Sequence, residues 1–533
     1  MATTLDPRDA TLGATHTVRR VSTRVARSVA VSALALGVLG DALLRQGPLG
    51  LGFPLFLGAL LYVLARLTRS RGVRWSLGAT LLLLPIAVTT ATFAWRNSDA
   101  LVFYNVLALL AALSALAWAL LRGDEWEPGR ASVGAYLAGA VKSGLSAAVG
   151  GFPLLADLRL GELARDEARS GPLRHWPAVG RGAAITIPLL LLFGMLFSAA
   201  DPVFDHLVHD VLDVDVGLAA SHVVLIGFFA WSTAGYLRGA AVAPIDDRVR
   251  HGERPSLGLG IIEVGLGLAA LDVLFLIFVV IQLRYLFGGA AHVQATAHMT
   301  YAEYARRGFF ELVWVTAFAL ATLLAANGAL RRERRRDEWI FRGLSWTLLA
   351  LLAVVMLSAL QRMRLYQSEY GLTETRFYAT VCMGWLAVVL AWFAATVLRG
   401  RGTPAFAFGA LVSAWLAVAA LDVANPDAII ARTNLARLER GARFDPSYVR
   451  TLSADATPVI AGTFATLPAS MSAPDRCELE QSLVRWRRVR SSDWRGWNAA
   501  RERARDIAES PRFAGLRQLD CSSLPGAPAG RGG

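Results

Sequence analysis

Long apolar runs alternate along this chain with short polar intervals rich in arginine. Runs of roughly 20 residues match a helix crossing the hydrocarbon core of a bilayer. Such runs lie at about 26–44, 49–67, 77–95, 101–121, 183–200, 218–237, 261–283, 308–330, 344–360, 378–398 and 406–424. Residues 1–25 form a basic polar segment before them, and 425–533 follow without a spanning run. The first run follows Arg19, Arg20, Arg24 and Arg27 but lacks a small-residue cleavage site, so it reads as an uncleaved span. The predicted fold class is all-α. It is a polytopic integral membrane helical bundle of about 11 transmembrane helices, with a small helical C-terminal extramembrane tail. Within the tail, helices are predicted over 428–441 and 475–509, and the Gly- and Pro-rich last residues are predicted to be disordered.

Residues 122–182 break the rhythm, being mixed in charge and rich in Gly and Pro. Their middle, 133–155, is mildly apolar but holds Lys142 and many small residues, and is predicted as an interfacial or re-entrant helix. Arginine placement then orients the chain, because cytoplasmic loops carry the excess of Lys and Arg. With the N-terminus inside, inner loops hold Arg66, Arg69, Arg71 and Arg74, the basic 122–182 segment, Arg238, Arg248, Arg250 and Arg254, the Arg331–Arg336 run, and Arg399 and Arg401. The earlier outer intervals carry only Arg45 and Arg96, and the interval 201–217, outer in this scheme, contains no arginine. The tail falls outside, where Cys477 and Cys521 are free to pair. Two outer intervals break the bias. One holds Arg284, Arg306 and Arg307, the other Arg362, Arg364 and Arg376. Topology does not ask for arginine there, so these intervals are the first place to look for function.

Composition sharpens the picture. Hydrophobic residues make up 55% of the chain and charged residues only 18%, and the net charge is +13. Mean hydropathy is +0.44. No nucleic-acid module accompanies the positive charge, so the expected partner is the lipid bilayer rather than nucleic acid. The sequence lacks a Walker A loop, a G-x-S-x-G elbow, an H-E-x-x-H pair and a dinucleotide fingerprint, and no catalytic or cofactor-binding residue is assigned. His206, His209 and His222 beside the acidic 201–217 interval match no standard zinc spacing, so no metal ligand is assigned either.

The candidate site consists of polar residues beside or within the spans. Asp272 lies near the middle of its run, where a carboxylate must be paired, protonated or beside water. Tyr301, Tyr304, Gly308 and Glu311 share one face of a helix entering the membrane, and Glu303 is within reach of Arg306 or Arg307. Arg362, Arg364, Tyr370, Glu374 and Arg376 follow the 344–360 run. The same residues serve equally well as an aromatic belt with interfacial ion pairs. Asp41 and Asp422, near span ends, are expected to be structural.

The stretch 301–312 (Tyr-Ala-Glu-Tyr-Ala-Arg-Arg-Gly-Phe-Phe-Glu-Leu), Arg-Met-Arg-Leu-Tyr at 362–366 and Tyr-Gly-Leu-Thr-Glu-Thr-Arg at 370–376 resemble a bacterial family known as domain of unknown function forty-one seventy-three, with a similar sister family numbered forty-one fifty-three. Asn425-Pro-Asp-Ala-Ile-Ile-Ala-Arg432 and Asp493-Trp-Arg-Gly-Trp-Asn498 fit the same resemblance. It implies a polytopic protein of the bacterial inner membrane with a polar tail, and no activity or residue role. Three functions stay open. One is permeation of a small solute or ion through Asp272 and Glu311. Another is a non-catalytic scaffold or envelope sensor. The third is a transferase at the outer leaflet with Glu303, Glu369 or Glu374 as base.

Overall fold

The computed structural model describes residues 23–45, 47–123, 128–166, 216–241, 258–287, 309–440, 445–467, 471–488 and 493–516, with Thr186, Phe193 and Cys521. Among the described residues every regular element is a helix, and ten helices are long and apolar enough to cross a membrane. The predicted span at 183–200 and the acidic interval after it lie outside the described residues. The protein is an all-helical, multi-pass membrane bundle with a helical tail.

The first half contains α1 (Thr23–Leu44), α2 (Gly52–Ser70), α3 (Leu77–Leu81), α4 (Leu83–Trp95), α5 (Asp99–Arg122), α6 (Val133–Val149), α7 (Gly151–Asp166) and α8 (Val216–Ala241). The single span predicted at 77–95 is divided at Leu82. Pro85 lacks an N–H and its ring crowds the carbonyl one turn back, which opens the helix there. α1 packs along α8 on a stripe of Ala26, Val29, Ala33, Leu36, Gly37 and Gly40. Without hydrophobic drive between helices in lipid, close backbone approach supplies the attraction, and small residues permit it. A methyl group on Gly37 would stand 2.6 Å from the Ile226 carbonyl oxygen, and one on Gly40 2.6 Å from the Phe229 ring.

α6 crosses the ends of other helices. Gly139 lies against Trp118 near the end of α5, and Gly150 and Ser146 lie against Gly235 and Gly239 near the end of α8. Those ends belong to the face that carries Arg69, Arg71 and Arg74 and the Arg331–Arg336 run, called here the arginine face.

The second half contains α9 (Ile261–Phe287), α10 (Phe309–Ala329), α11 (Arg335–Tyr370), α12 (Glu374–Phe393, continued by a wider turn through Leu398) and α13 (Gly402–Ala424). It has its own core around Leu268, Phe275, Leu323, Phe341, Leu348, Leu352 and Phe393, separate from the core of the first half. α9 and α11 run parallel, with Gly265 beside Leu344 at one end and Gln282 bonded to Ser358 at the other. α11 departs from the sequence reading. In place of a span at 344–360 and a polar interval after it, one helix runs 36 residues, about 54 Å at 1.5 Å per residue. That exceeds the hydrocarbon thickness of about 30 Å, so both ends project from it.

The tail is a compact helical unit. It comprises α14 (Pro426–Glu439), α15 (Pro446–Val449), α16 (Thr457–Thr463), α17 (Ala473–Val484) and α18 (Ala499–Glu509) around Ile430, Leu435, Val449, Leu452, Ile460, Leu479, Leu483 and Phe513. The helix predicted over 475–509 is two helices, α17 and α18. Before α18, Asp493 caps the short turn Trp494–Gly496 through the Arg495 N–H, and Asn498 caps α18 through the Ala500 and Arg501 N–H groups. Cys477 and Cys521 form a disulfide across 44 residues of sequence. Closing a loop of that size is worth about 4 kcal/mol on chain-entropy grounds. Reduction, or Cys477→Ser with Cys521→Ser, is expected to lower the unfolding midpoint of the tail by several degrees, read by its protease resistance on heating. An unchanged midpoint contradicts this.

Candidate functional site

The polar residues that the fold gathers lie where the tail meets the span ends. α4 ends at Trp95, and Arg96 turns under the tail with 8% of its surface exposed. Its Nε donates to the Asp422 carbonyl oxygen at 2.7 Å, one terminal nitrogen to the Val423 carbonyl oxygen at 3.2 Å, and the other to Asp455 Oδ1 at 3.1 Å. The guanidinium also lies 4.2 Å from the Trp95 ring. Asp455 is 4% exposed and accepts a further bond from the Asn97 backbone N–H at 2.6 Å. Inside α13, Asp422 accepts from Thr92 at 3.1 Å and from Asn105 at 2.8 Å. One arginine thus holds the ends of α4, α13 and the tail together. A charge this deep persists only when paired and fully hydrogen-bonded.

Asp427 is fully buried one turn into the tail. It accepts from the Ser453 backbone N–H at 3.0 Å and from Ser98 at 3.5 Å, and its carboxyl lies within hydrogen-bonding reach of Glu374. Two carboxyls can be bonded to each other only if a proton sits between them. Burial above all raises the pKa of Asp427, and the nearby Asp455 charge adds to it, while the bonds from Ser453 pull the other way. Tyr448, whose hydroxyl accepts the Glu374 backbone N–H at 2.7 Å, is pushed up to about 12 by burial.

Three of the motif stretches, 370–376, 425–432 and 493–498, come together at this joint. Asn425 takes a left-handed backbone, φ 57°, so that the chain can turn out of α13, and its side chain caps α14 through the Ala428 N–H. Asn434 clasps Leu372 by both its backbone groups, at 2.8 and 2.7 Å, beside Gly371, whose φ of 76° allows the turn between α11 and α12. Arg437 donates to the carbonyl oxygens of Ser368 and Glu369 at the end of α11. Asn498 donates to the carbonyl oxygens of Phe93 and Arg96 at 3.0 and 2.7 Å. Arg501 bonds Asn97, the Leu49 carbonyl oxygen and the Gly496 carbonyl oxygen.

The residues picked out from the sequence do not form one constellation. Tyr301, Glu303, Tyr304, Arg306 and Arg307 lie outside the described residues. Glu311 is exposed at the start of α10. Arg362 donates to Gln282 Oε1, which also accepts from Ser358, so it ties α11 to α9. Arg364 is exposed. Arg376 lies 4.1 Å from the Tyr366 ring and 5.9 Å from the Tyr370 ring, and donates to the carbonyl oxygens of Tyr370 and Gly371. It closes the end of α11. Glu374 faces Asp427 instead. Asp272 stands apart, ten residues and about 15 Å of helix rise before Gln282. It is 7% exposed, on the stripe of α9 between Leu268 and Phe275, and neither carboxylate oxygen has a partner among the described residues. Asp41, by contrast, pairs with Arg45 at 2.7 Å and with His222 Nδ1 at 2.6 Å, joining α1 to α8. Among the described residues no group of three His, Cys, Asp or Glu side chains could hold a metal ion.

The family described as "Domain of unknown function (DUF4153)" matches residues 83–462, well over half of the chain. The chain belongs to this family. The match is to the sister family of the resemblance read from the motifs, and it runs from α4 into α16, taking in both sides of the joint. No curated protein and no solved structure matches the chain.

Two measurements follow from the joint. Arg96→Ala leaves Asp455 buried without its cation, which costs about 3–5 kcal/mol, so the tail should become protease-sensitive well below the wild-type unfolding temperature. An unchanged profile contradicts the assignment. Asp427 carries a raised pKa when folded, so its protonation favours the docked tail. That contribution is complete below the ordinary carboxylate pKa and is lost as pH rises through the raised folded value. Thermal stability should therefore decline as pH climbs out of the acid range, and Asp427→Asn should flatten the decline. An identical pH profile in the variant refutes it.

Proposed function

We propose that this protein is a non-catalytic membrane scaffold or envelope sensor, whose spans hold an extracytoplasmic tail in a fixed orientation at a bacterial inner membrane. The joint carries this reading. Glu374, Asn425, Asp427 and Asn498, from the 370–376, 425–432 and 493–498 stretches, are engaged where the tail meets the span ends, and neither large cavity lined by described residues includes them. Arginine placement supports a cytoplasmic N-terminus. The Cys477–Cys521 disulfide supports an oxidising compartment for the tail. The tail then presents a rigid surface to an envelope component.

Permeation of a small solute or ion is the second reading, and Asp272 favours it. An unpartnered carboxylate at that depth is costly and calls for a proton or a cation. Against it, neither of the two large cavities lined by described residues touches Asp272. The transferase reading has less support. The Glu374 carboxyl is turned under the tail towards Asp427, and Glu369 is exposed at the end of α11, in neither of the two large cavities lined by described residues.

A cysteine-accessibility experiment separates these readings. In a Cys382→Ala background that keeps the disulfide, single cysteines are placed at Arg364, Asp272 and Arg334, and intact cells are treated with a membrane-impermeant thiol reagent. Labelling at Arg364→Cys alone is the expected result. Labelling at Asp272→Cys would establish a water path and favour permeation. Labelling at Arg334→Cys would reverse the orientation.

A further inference from the structure

The two halves of the membrane region have separate cores, and a cavity of about 570 Å³ lies on the seam between them. Its walls come from α3, α4 and α5 on one side and α12 and α13 on the other. At the tail end the halves close on each other through Leu101, Tyr378 and Leu421. There the Tyr104 and Tyr378 rings stand 5.1 Å apart. At the arginine face Tyr136 of α6 lines the other end. Along α13 the lining runs from Phe408 to Leu421, about 20 Å of helix rise. Small side chains, Ala108 and Ala111 on α5 and Ala414 and Ala417 on α13, hollow the walls.

The chemistry of the lining decides the occupant. The walls are almost wholly hydrocarbon and belong to helices that cross the membrane, so water gains nothing by entering. One extended hydrocarbon chain matches both the apolar chemistry of the walls and the roughly 20 Å over which the lining runs along α13. We infer that the seam between the two halves binds one acyl chain of a membrane phospholipid as a specific site, with the chain lying between α5 and α13 and its glycerol end beside Tyr104 and Tyr378. Relative to bulk lipid, selectivity comes from the close fit to the alanine-lined walls.

Photo-crosslinking tests this in native membranes with the full chain. The probe is a phosphatidylethanolamine carrying a diazirine at mid-acyl chain, and peptide mapping reads the adducts. Adducts should concentrate on the seam residues of α5, α12 and α13, above those on outward apolar residues such as Leu34, Val224 and Ile262, which are 58%, 69% and 81% exposed. Ala417→Trp, or Ala111→Trp on the opposite wall, should fill the seam and bring its adducts down to the level of the outward apolar residues. Adducts spread evenly over lipid-facing positions would mean annular lipid only and would overturn the proposal, and the wild-type map decides this even where a filled variant fails to fold. Cys382, the chain's one cysteine outside the disulfide, lines the seam. Efficient dimer formation by a short bis-maleimide at Cys382 would place a second copy there instead and would equally overturn it.

Discussion

The structure depends on one buried cation. Arg96 sits where α4 ends, out of water, facing the last carbonyl groups of α13 and the carboxylate of Asp455 in the tail. None of these groups is tolerable alone at that depth. The guanidinium needs acceptors, the span end of α13 needs donors for its free carbonyls, and Asp455 needs a positive partner. Meeting all three needs with one side chain fixes the positions of a first-half helix, a second-half helix and the tail at the same point. Asp422, bonded to Thr92 and Asn105, repeats the tie one turn deeper with neutral donors.

That constraint explains the rest of the layout. The two halves have separate cores, so little apolar packing holds them together along their length, and the seam between them stays hollow at about 570 Å³. They meet at two levels. One is the tail-side joint, and the other is the arginine face, where Pro128–Arg130 and α6 lie against α13. The hollow is stable because both ends are fixed and because lipid hydrocarbon is the surrounding solvent. The Asp427 carboxyl, raised in pKa by burial, faces Glu374 behind Tyr378, at the end of that hollow.

The membrane architecture was legible in the sequence because hydrocarbon length and charge exclusion act on every span alike. The ends of the described spanning helices fall within about a turn of the apolar runs, α11 excepted. There the apolar criterion stopped at Leu360, while the helix continues through Arg362 and Arg364 to Tyr370, since a helix leaving the bilayer needs no apolar face. The site was only partly legible. Arginines at 362 and 376 were noticed because topology did not require them, and both turn out to tie helix ends. Arg96, Asp427, Asp455 and Asn498 are not among the candidate site residues, although Asp427 and Asn498 fall inside the motif stretches and Arg96 stands in an outer interval. Each is an ordinary polar residue in a short interval, and their meeting is set by pairings across as many as 405 residues. The available signal was the recurrence of Asn and Asp immediately before helices, at Asn425, Asp493 and Asn498, which predicts caps without revealing what else they hold.

The most direct test of this account is a double-mutant cycle between Arg96 and Asp455, taking Arg96→Met, Asp455→Asn and the pair, with tail unfolding followed by urea in detergent micelles. If Arg96 clamps the tail through Asp455, the two changes should couple by about 2–3 kcal/mol, with the double variant less damaged than the sum of the singles. Strictly additive losses would show that the tail is held by its other contacts and that the buried cation is incidental to the architecture.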